Sequence, residues 1–291
     1  MESSAFAPAD VDPENDRRDG QMSAKPVTKS KPSRNLTSAV AQWTPPIIAL
    51  VVVVLIWEAA VRIGEIPAYL LPPPSLVLIE MWHERTMFSP HIGVTAVEIA
   101  LGYLYAVAIG LPLAILISSS KIMERSVFPL LVASQVVPKV ALAPLFLIYL
   151  GFGIASKLTL VMVIAFFPIV VNGALGLQSI EREKIYLARS MGAGPFKTFW
   201  RVRLPHALPA TFGGLRLAAT LAPVGAIIGE FIGANAGLGV VLLQAQGMFN
   251  ITRVFAAIAF MTVLGIAFYV VVLVAEQFAI PWHISKRSTS T

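Results

Sequence analysis

Six stretches of the chain are long runs of apolar residues, and polar segments separate them. The first covers about 46–64 and carries Glu58 and Arg62 near its end. The second covers about 94–118, within an uncharged run from Ile99 to Ser120. The third, about 126–150, is interrupted by Pro138, Lys139 and Pro144. The fourth, about 158–179, holds no charge; the fifth, about 207–234, holds Arg216 and Glu230; the sixth, about 254–280, is uncharged from Val254 to Ala275. A helix of about 20 apolar residues crosses a bilayer, so the pattern predicts an all-α polytopic membrane protein with six transmembrane helices.

The segments between the runs complete the layout. Residues 1–42 are rich in Ser, Pro, Asp, Lys and Arg without apolar periodicity, which predicts a disordered tail rather than a cleaved signal peptide. Residues 43–283 form the transmembrane domain, and 284–291 a second short tail. Between runs four and five lies the largest ordered polar segment, about 180–206. Its first half, 181–191, fits a short amphipathic helix with Ile185, Ala188 and Met191 on one face. Gly192 and Gly194 end that helix, and Pro195 can start another. Phe196, Phe199, Trp200 and Val202 form a second apolar stripe. Such a helix pair can lie on lipid head groups or dock into a groove on a partner.

Composition narrows the class. Of 291 residues, 56% are hydrophobic and only 13% charged, with mean hydropathy +0.76. A soluble globule this apolar would aggregate. The absence of cysteine removes disulfides, thiolate metal sites and cysteine nucleophiles. The net charge of +6 is a matter of topology rather than nucleic-acid binding. Lys121, Arg125, Arg182, Lys184, Arg189, Lys197, Arg201, Arg203, Lys286 and Arg287 fall on one side. Arg62, Arg85, Lys157 and Arg253 fall on the other. The positive-inside rule then predicts both termini and the 180–206 loop in the cytoplasm.

No chemistry of bond-making emerges. His83, His91, His206 and His283 lack metal-ligand spacing and read as surface residues. Gly192–Thr198 resembles a phosphate loop only superficially, because Phe196 stands where a glycine must precede the lysine. No catalytic metal, cofactor or nucleophile is expected. Charges at membrane depth mark pairing or a translocation path. Glu98 and Lys139 either pair with each other or line that path, and Arg216 can snorkel to an interface. Glu230 accompanies Gly225, Gly229, Gly233 and Gly237, a small-residue strip that lets backbones approach. The strip serves either packing within the subunit or a subunit interface and pore.

The spacing Gly192, nine residues, Val202, one residue, Leu204-Pro205 resembles the EAA loop of ABC-importer permeases, E-A-A-x3-G-x9-I-x-L-P. Ala188 matches the second alanine. Tyr186 and Leu187 stand in place of Glu-Ala, so Glu181, Glu183, Lys184 or Arg189 would have to replace the acid's contact. Leu71–Leu78, Pro138–Phe146 with Gly151-Phe-Gly153, Phe167–Asn172, Leu208-Pro-Ala with Gly214-Leu-Arg216, and Glu230 with Gly237-Leu-Gly239 resemble the nitrate/sulfonate/taurine-type branch. Together these stretches cover about 66–280.

The resemblance implies a permease subunit in the bacterial inner membrane, paired with a second permease copy, itself expected to be identical. It implies two cytosolic ATP-binding subunits and a periplasmic or lipid-anchored solute-binding protein. The 180–206 loop would carry the coupling helix, with Ile185, Ala188, Arg189, Gly192, Ala193, Phe199, Val202, Leu204 and Pro205 at the ATPase. Glu98, Lys139 and Glu230 are the pathway candidates. The cargo is expected to be a pyrimidine-type vitamin precursor or a riboflavin-like compound, or else a sulfonate, taurine or nitrate. The acid at Glu98, where the anion-type pattern resembles one carrying arginine, favours the first pair. The rival class is a stand-alone secondary transporter, although no strong internal repeat supports it.

Overall fold

The computed structural model describes residues 36–282, and all regular structure in that range is helical. The chain divides after Val52 into two units. The first contains the start of α1 (Leu36–Ile63), where Ile47, Ile48, Leu50 and Val51 are exposed. α1 begins inside the stretch expected to be tail, because Ser38–Trp43 favours helix; the remainder of that tail, and residues 283–291, lie outside the described residues.

The second unit is built on α3 (Arg85–Ser119), α6 (Ile154–Gln178) and α9 (Leu204–Phe231). Their shared core includes Ile99, Tyr103, Val161, Ala165, Ile169, Leu215, Ala218, Ala222 and Ala226. Lipid offers no hydrophobic gain for helix association, so contact must come from close packing of small residues. A Cβ added at Gly225 would stand 2.7 Å from the Val161 Cα, and one at Gly214 2.6 Å from the Pro168 carbonyl oxygen. The Tyr103 hydroxyl donates to the Leu215 carbonyl at 3.1 Å, spending its one polar group inside the core.

Gly225→Ala tests this packing. Alanine gains about 1 kcal/mol of helix propensity, but backbone that cannot yield makes overpacking cost about 1–3 kcal/mol. The expected net result is a lower unfolding midpoint in detergent; an unchanged or raised midpoint would show that α6 and α9 can separate freely.

α2 (Pro74–His83) and α10 (Leu238–Gly247) are too short to span a bilayer, and the run-length reading passed over both. They join α3 and α11 (Ile251–Ala279) around Val77, Phe88, Leu238, Val241, Ala256 and Ala257. Arg253 of α11 bonds Glu80 at 2.9 Å and Glu84 at 3.0 Å, tying α11 to α2. The Glu58 carboxylate accepts from the Ser75 backbone N–H at 3.0 Å, tying the end of α1 to the start of α2. The outward face of α11, with Val263, Ile266, Val270 and Val271, is exposed and apolar.

Among the described residues, five helices are long and apolar enough to cross a membrane. The third expected span, about 126–150, is not straight. α4 (Lys121–Ser134) and the segment Lys139–Leu150, a 3-10 turn running into α5 (Ala143–Leu150), meet at 86°. α4 ends at Ser134, and Pro138, which has no N–H to donate and disfavours helical backbone at Val137, keeps it from running on. α3 also starts earlier than expected, at Arg85: its 35 residues span about 52 Å, well beyond a hydrocarbon core of about 30 Å. The glycine strip is interrupted as well. Gly225 and Gly229 pack on α6 within the subunit, but α9 stops at Phe231, and Gly233 and Gly237 lie beyond it at positive φ.

Candidate functional sites at the two ends of the bundle

The first site is a polar knot at the end of the bundle where α3 and α6 begin and α9 ends. His91, Thr95 and Glu98 share one face of α3 at i, i+4 and i+7. Lys157, in the first turn of α6, donates to Glu98 Oε1 at 2.7 Å. Glu230, in the last turn of α9, accepts from the Thr95 hydroxyl and from the Gly239 backbone N–H. Thr95 Oγ1 accepts from the Leu238 N–H at 2.9 Å, and His91 Nδ1 accepts from the Gly237 N–H at 3.0 Å.

The two carboxylates are each 1% exposed. Burial at this depth is sustained only by such pairing, because an isolated carboxylate loses its hydration. The free N–H groups that open α10 supply part of it: Glu230 lies against that helix start, where the backbone dipoles favour negative charge. Glycine is required at Gly237, since its φ is +130° and a Cβ there would fall on the Glu230 carboxyl group.

Several expectations change. Glu98 pairs with Lys157, not with Lys139. Lys139 donates to the Gln135 carbonyl at 3.1 Å and stands 4.8 Å from the Phe167 ring centroid. His91 is half-buried and hydrogen-bonded rather than a free surface histidine. Arg216 does not snorkel; it meets Glu276 of α11 at 3.2 Å. Thr95, Lys157 and His91 were missed because hydropathy sets span ends by apolar runs. The i, i+4, i+7 spacing of His91, Thr95 and Glu98 was the legible signal. Among the described residues no group of three or more His, Cys, Asp or Glu is placed to hold a metal ion.

The second site is the loop at the opposite end. α7 (Arg182–Ser190) closes with Gly192 at φ +80°; the Gly192 N–H donates to the Arg189 carbonyl and the Ala193 N–H to the Ala188 carbonyl, at 2.9 and 3.0 Å. A helix C-terminus needs its last carbonyls satisfied in this way, and a left-handed residue provides it. Nothing stands within 4 Å of a Cβ at Gly192, so conformation and not space selects glycine there.

α8 (Pro195–Thr198) then starts, and a π-helical turn over Phe199–Arg203 joins it directly to α9. Arg203 Nη2 donates to the Ser118 carbonyl at 3.1 Å and the Leu177 carbonyl at 3.3 Å. It therefore caps the C-terminal ends of α3 and α6 together.

Ile185, Ala188, Ala193, Phe199, Val202, Leu204 and Pro205 are half-buried, whereas Arg189 and Gly192 are exposed. Met191 leaves the face expected for it and is 79% exposed. Tyr186, Leu187, Phe196 and Trp200 join it as exposed apolar groups. Two of them, Tyr186 and Leu187, occupy the positions where the loop departs from the Glu-Ala pattern. Phe196 and Phe199 hold Trp200 between them, with ring centroids at 6.0 and 5.8 Å.

Comparison with known proteins converges on this architecture. Over 239 residues the chain is 36% identical to the formylaminopyrimidine transport permease protein ThiX of Halalkalibacterium halodurans, covering 82% of this chain and 95% of that one. It is 32% identical over 241 residues to a probable ABC transporter permease protein of Haemophilus influenzae, covering 83% and 95%. It is 32% identical over 240 residues to the riboflavin transport system permease protein RibX of Chloroflexus aurantiacus, covering 82% and 90%. With residues 106–279 matching the family described as binding-protein-dependent transport system inner membrane component, and with the helical bundle, the chain belongs to that family, the inner-membrane permeases of ABC importers.

Proposed function

We propose that this permease works as a homodimer with both termini and the 180–206 loop in the cytoplasm. One ATP-binding subunit docks on each loop, and a solute-binding protein delivers cargo to the opposite face. The cargo is a flat heteroaromatic compound, a pyrimidine-type vitamin precursor or a riboflavin-like molecule. The observation that carries this reading is the loop itself. Tyr186, Leu187, Met191, Phe196 and Trp200 are apolar and exposed, yet the loop that bears them is fixed to α3 and α6 through Arg203.

Exposed aromatic and aliphatic anchors on a rigid helix pair suit a groove on a protein partner. Anchoring to two core helices lets movement of that partner reach the bundle. The cargo class draws on the relatives named for formylaminopyrimidine and riboflavin transport. It also draws on the excess of acid in the far-end knot, two carboxylates to one ammonium, which does not invite an anion.

The test is co-purification from native membrane in mild detergent, with mass spectrometry and an ATP-hydrolysis assay. An ATP-binding subunit recovered at about one per permease chain supports the reading. Cargo uptake by the permease alone in liposomes, without any ATPase, would sink it in favour of a secondary transporter.

A further inference from the structure

We propose that Lys139 and Phe167 form a cargo-recognition site inside the membrane, at the break between α4 and the 3-10 turn, and that it takes a flat heteroaromatic ring bearing hydrogen-bond acceptors. The assignment rests on the cargo reading above and adds the residues that read the ring.

Depth comes first. Phe167 lies halfway along α6, so the ammonium 4.8 Å from its ring centroid lies near mid-bilayer. A lysine there is costly and calls for a reason. Two other charges within the bundle have ionic partners, Glu98 with Lys157 and Arg216 with Glu276, and Glu230 is held by the Thr95 hydroxyl and the Gly239 N–H. Among the described residues Lys139 meets no carboxylate within ion-pair distance. Its ammonium is satisfied by one carbonyl, Gln135, and by the face of Phe167. An ammonium has three donors, and one carbonyl uses one of them.

The backbone gives the second argument. An 86° bend at membrane depth is tolerated where it faces protein or a water-filled cavity, not lipid. Lys139 is half-buried beside this break, and Val136, Val137 and Val140 around it are exposed. Opposite, α6 packs closely on α9 next to Phe167. The Pro168 carbonyl is approached closely by Gly214 and accepts from the Asn172 side chain at 2.8 Å. The site is therefore an ammonium with donors to spare over an aromatic face.

That pairing selects its ligand. A planar ring can stack on Phe167 while the displaced ammonium donates to a ring nitrogen or carbonyl of the cargo. A small oxyanion would gain the ammonium but meet the negative face of the benzene ring.

The test uses the whole transporter, with its ATPase and binding protein, in proteoliposomes. Uptake of formylaminopyrimidine and riboflavin is measured, with taurine as the anionic probe. Lys139→Met and Phe167→Leu are expected to lower heteroaromatic uptake at sub-saturating cargo about tenfold. Phe167→Tyr, which keeps the ring face, is expected to stay within about threefold of the parent.

Lys139→Arg serves as the second cationic variant if Lys139→Met fails to assemble with the ATPase, and it is expected to retain uptake. Assembled Lys139→Met and Phe167→Leu transporters that match the parent overturn the site and leave the importer reading intact. A parent that moves only taurine overturns the cargo class, and this site with it. A parent with ATP-dependent uptake of none of the three probes likewise overturns the cargo class, and this site with it.

Discussion

Lys157→Met is expected to destabilise the bundle by about 3–5 kcal/mol, because it leaves the Glu98 carboxylate buried without its cation. Glu98 is 1% exposed and the Lys157 side chain 13%, so water cannot substitute for the lost ammonium without opening the end of the bundle. The single Coulomb pair is not the whole cost. Glu98 shares its turn with Thr95, and Thr95 bonds both Glu230 and the start of α10. A reorientation of α3 to hydrate Glu98 therefore also loosens α9 and α10.

The double variant Glu98→Gln with Lys157→Met separates charge from shape. It removes both ions, and neutral replacements of buried ion pairs commonly come close to the parent. The checking measurement is the unfolding midpoint of detergent-solubilised protein for the parent, both single variants and the double. A double variant at least as unstable as Lys157→Met would show that packing, not charge pairing, sets the cost.

How far the sequence disclosed the fold follows from which physical signal each element carries. The long runs of α3, α6, α9 and α11 exceed the length of a bilayer, and solvent polarity alone marks them. α2 and α10 carry no such signal: at 10 residues each they are defined by tertiary contacts with α3 and α11, which hydropathy does not encode. The third run misled in the opposite direction. Its hydropathy is continuous, yet Pro138 bends it, and the angle of a bend is set by neighbours rather than by proline itself. Residues 106–279 carry the family match, while the far-end knot begins upstream of it at His91, Thr95 and Glu98.

The candidate sites divide similarly. Glu230 with its downstream glycines was visible as a charge among small residues, and Gly237 does lie against that carboxylate. Its contact with Thr95 was not visible, because a threonine 135 positions away in sequence bears no local mark of it. Lys157 was set aside as a loop base because it opens a helix, the place where span boundaries are least defined. In the 180–206 loop, glycine spacing announced the turn at Gly192. Arg203 was counted only as a topological charge, although its side chain bonds that loop to the ends of α3 and α6.

Arg203→Ala is expected to uncouple ATP hydrolysis from transport. The side chain donates to two carbonyls, at the ends of α3 and α6, and a charged donor to a carbonyl is worth about 1.5–3 kcal/mol per bond. Water reaches this half-buried end of the bundle, so the combined loss is set nearer to about 2–3 kcal/mol. That corresponds to a factor of roughly 30–150 in the equilibrium linking loop position to helix position. The exposed anchors Tyr186, Leu187, Met191, Phe196 and Trp200 do not touch Arg203's acceptors, so an ATPase should still bind the variant. ATP hydrolysed per cargo molecule is then expected to rise steeply while subunit recovery stays near the parent. Arg203→Lys retains the charge at these helix ends but replaces a planar fork with a point donor, which cannot span both carbonyls as well; an intermediate ratio is expected. A ratio of hydrolysis to uptake that stays at the parental value in Arg203→Ala would mean that force passes through the continuous α8–α9 backbone instead. In that case the π-helical turn at Phe199–Arg203, and not the arginine clamp, is the joint that transmits it.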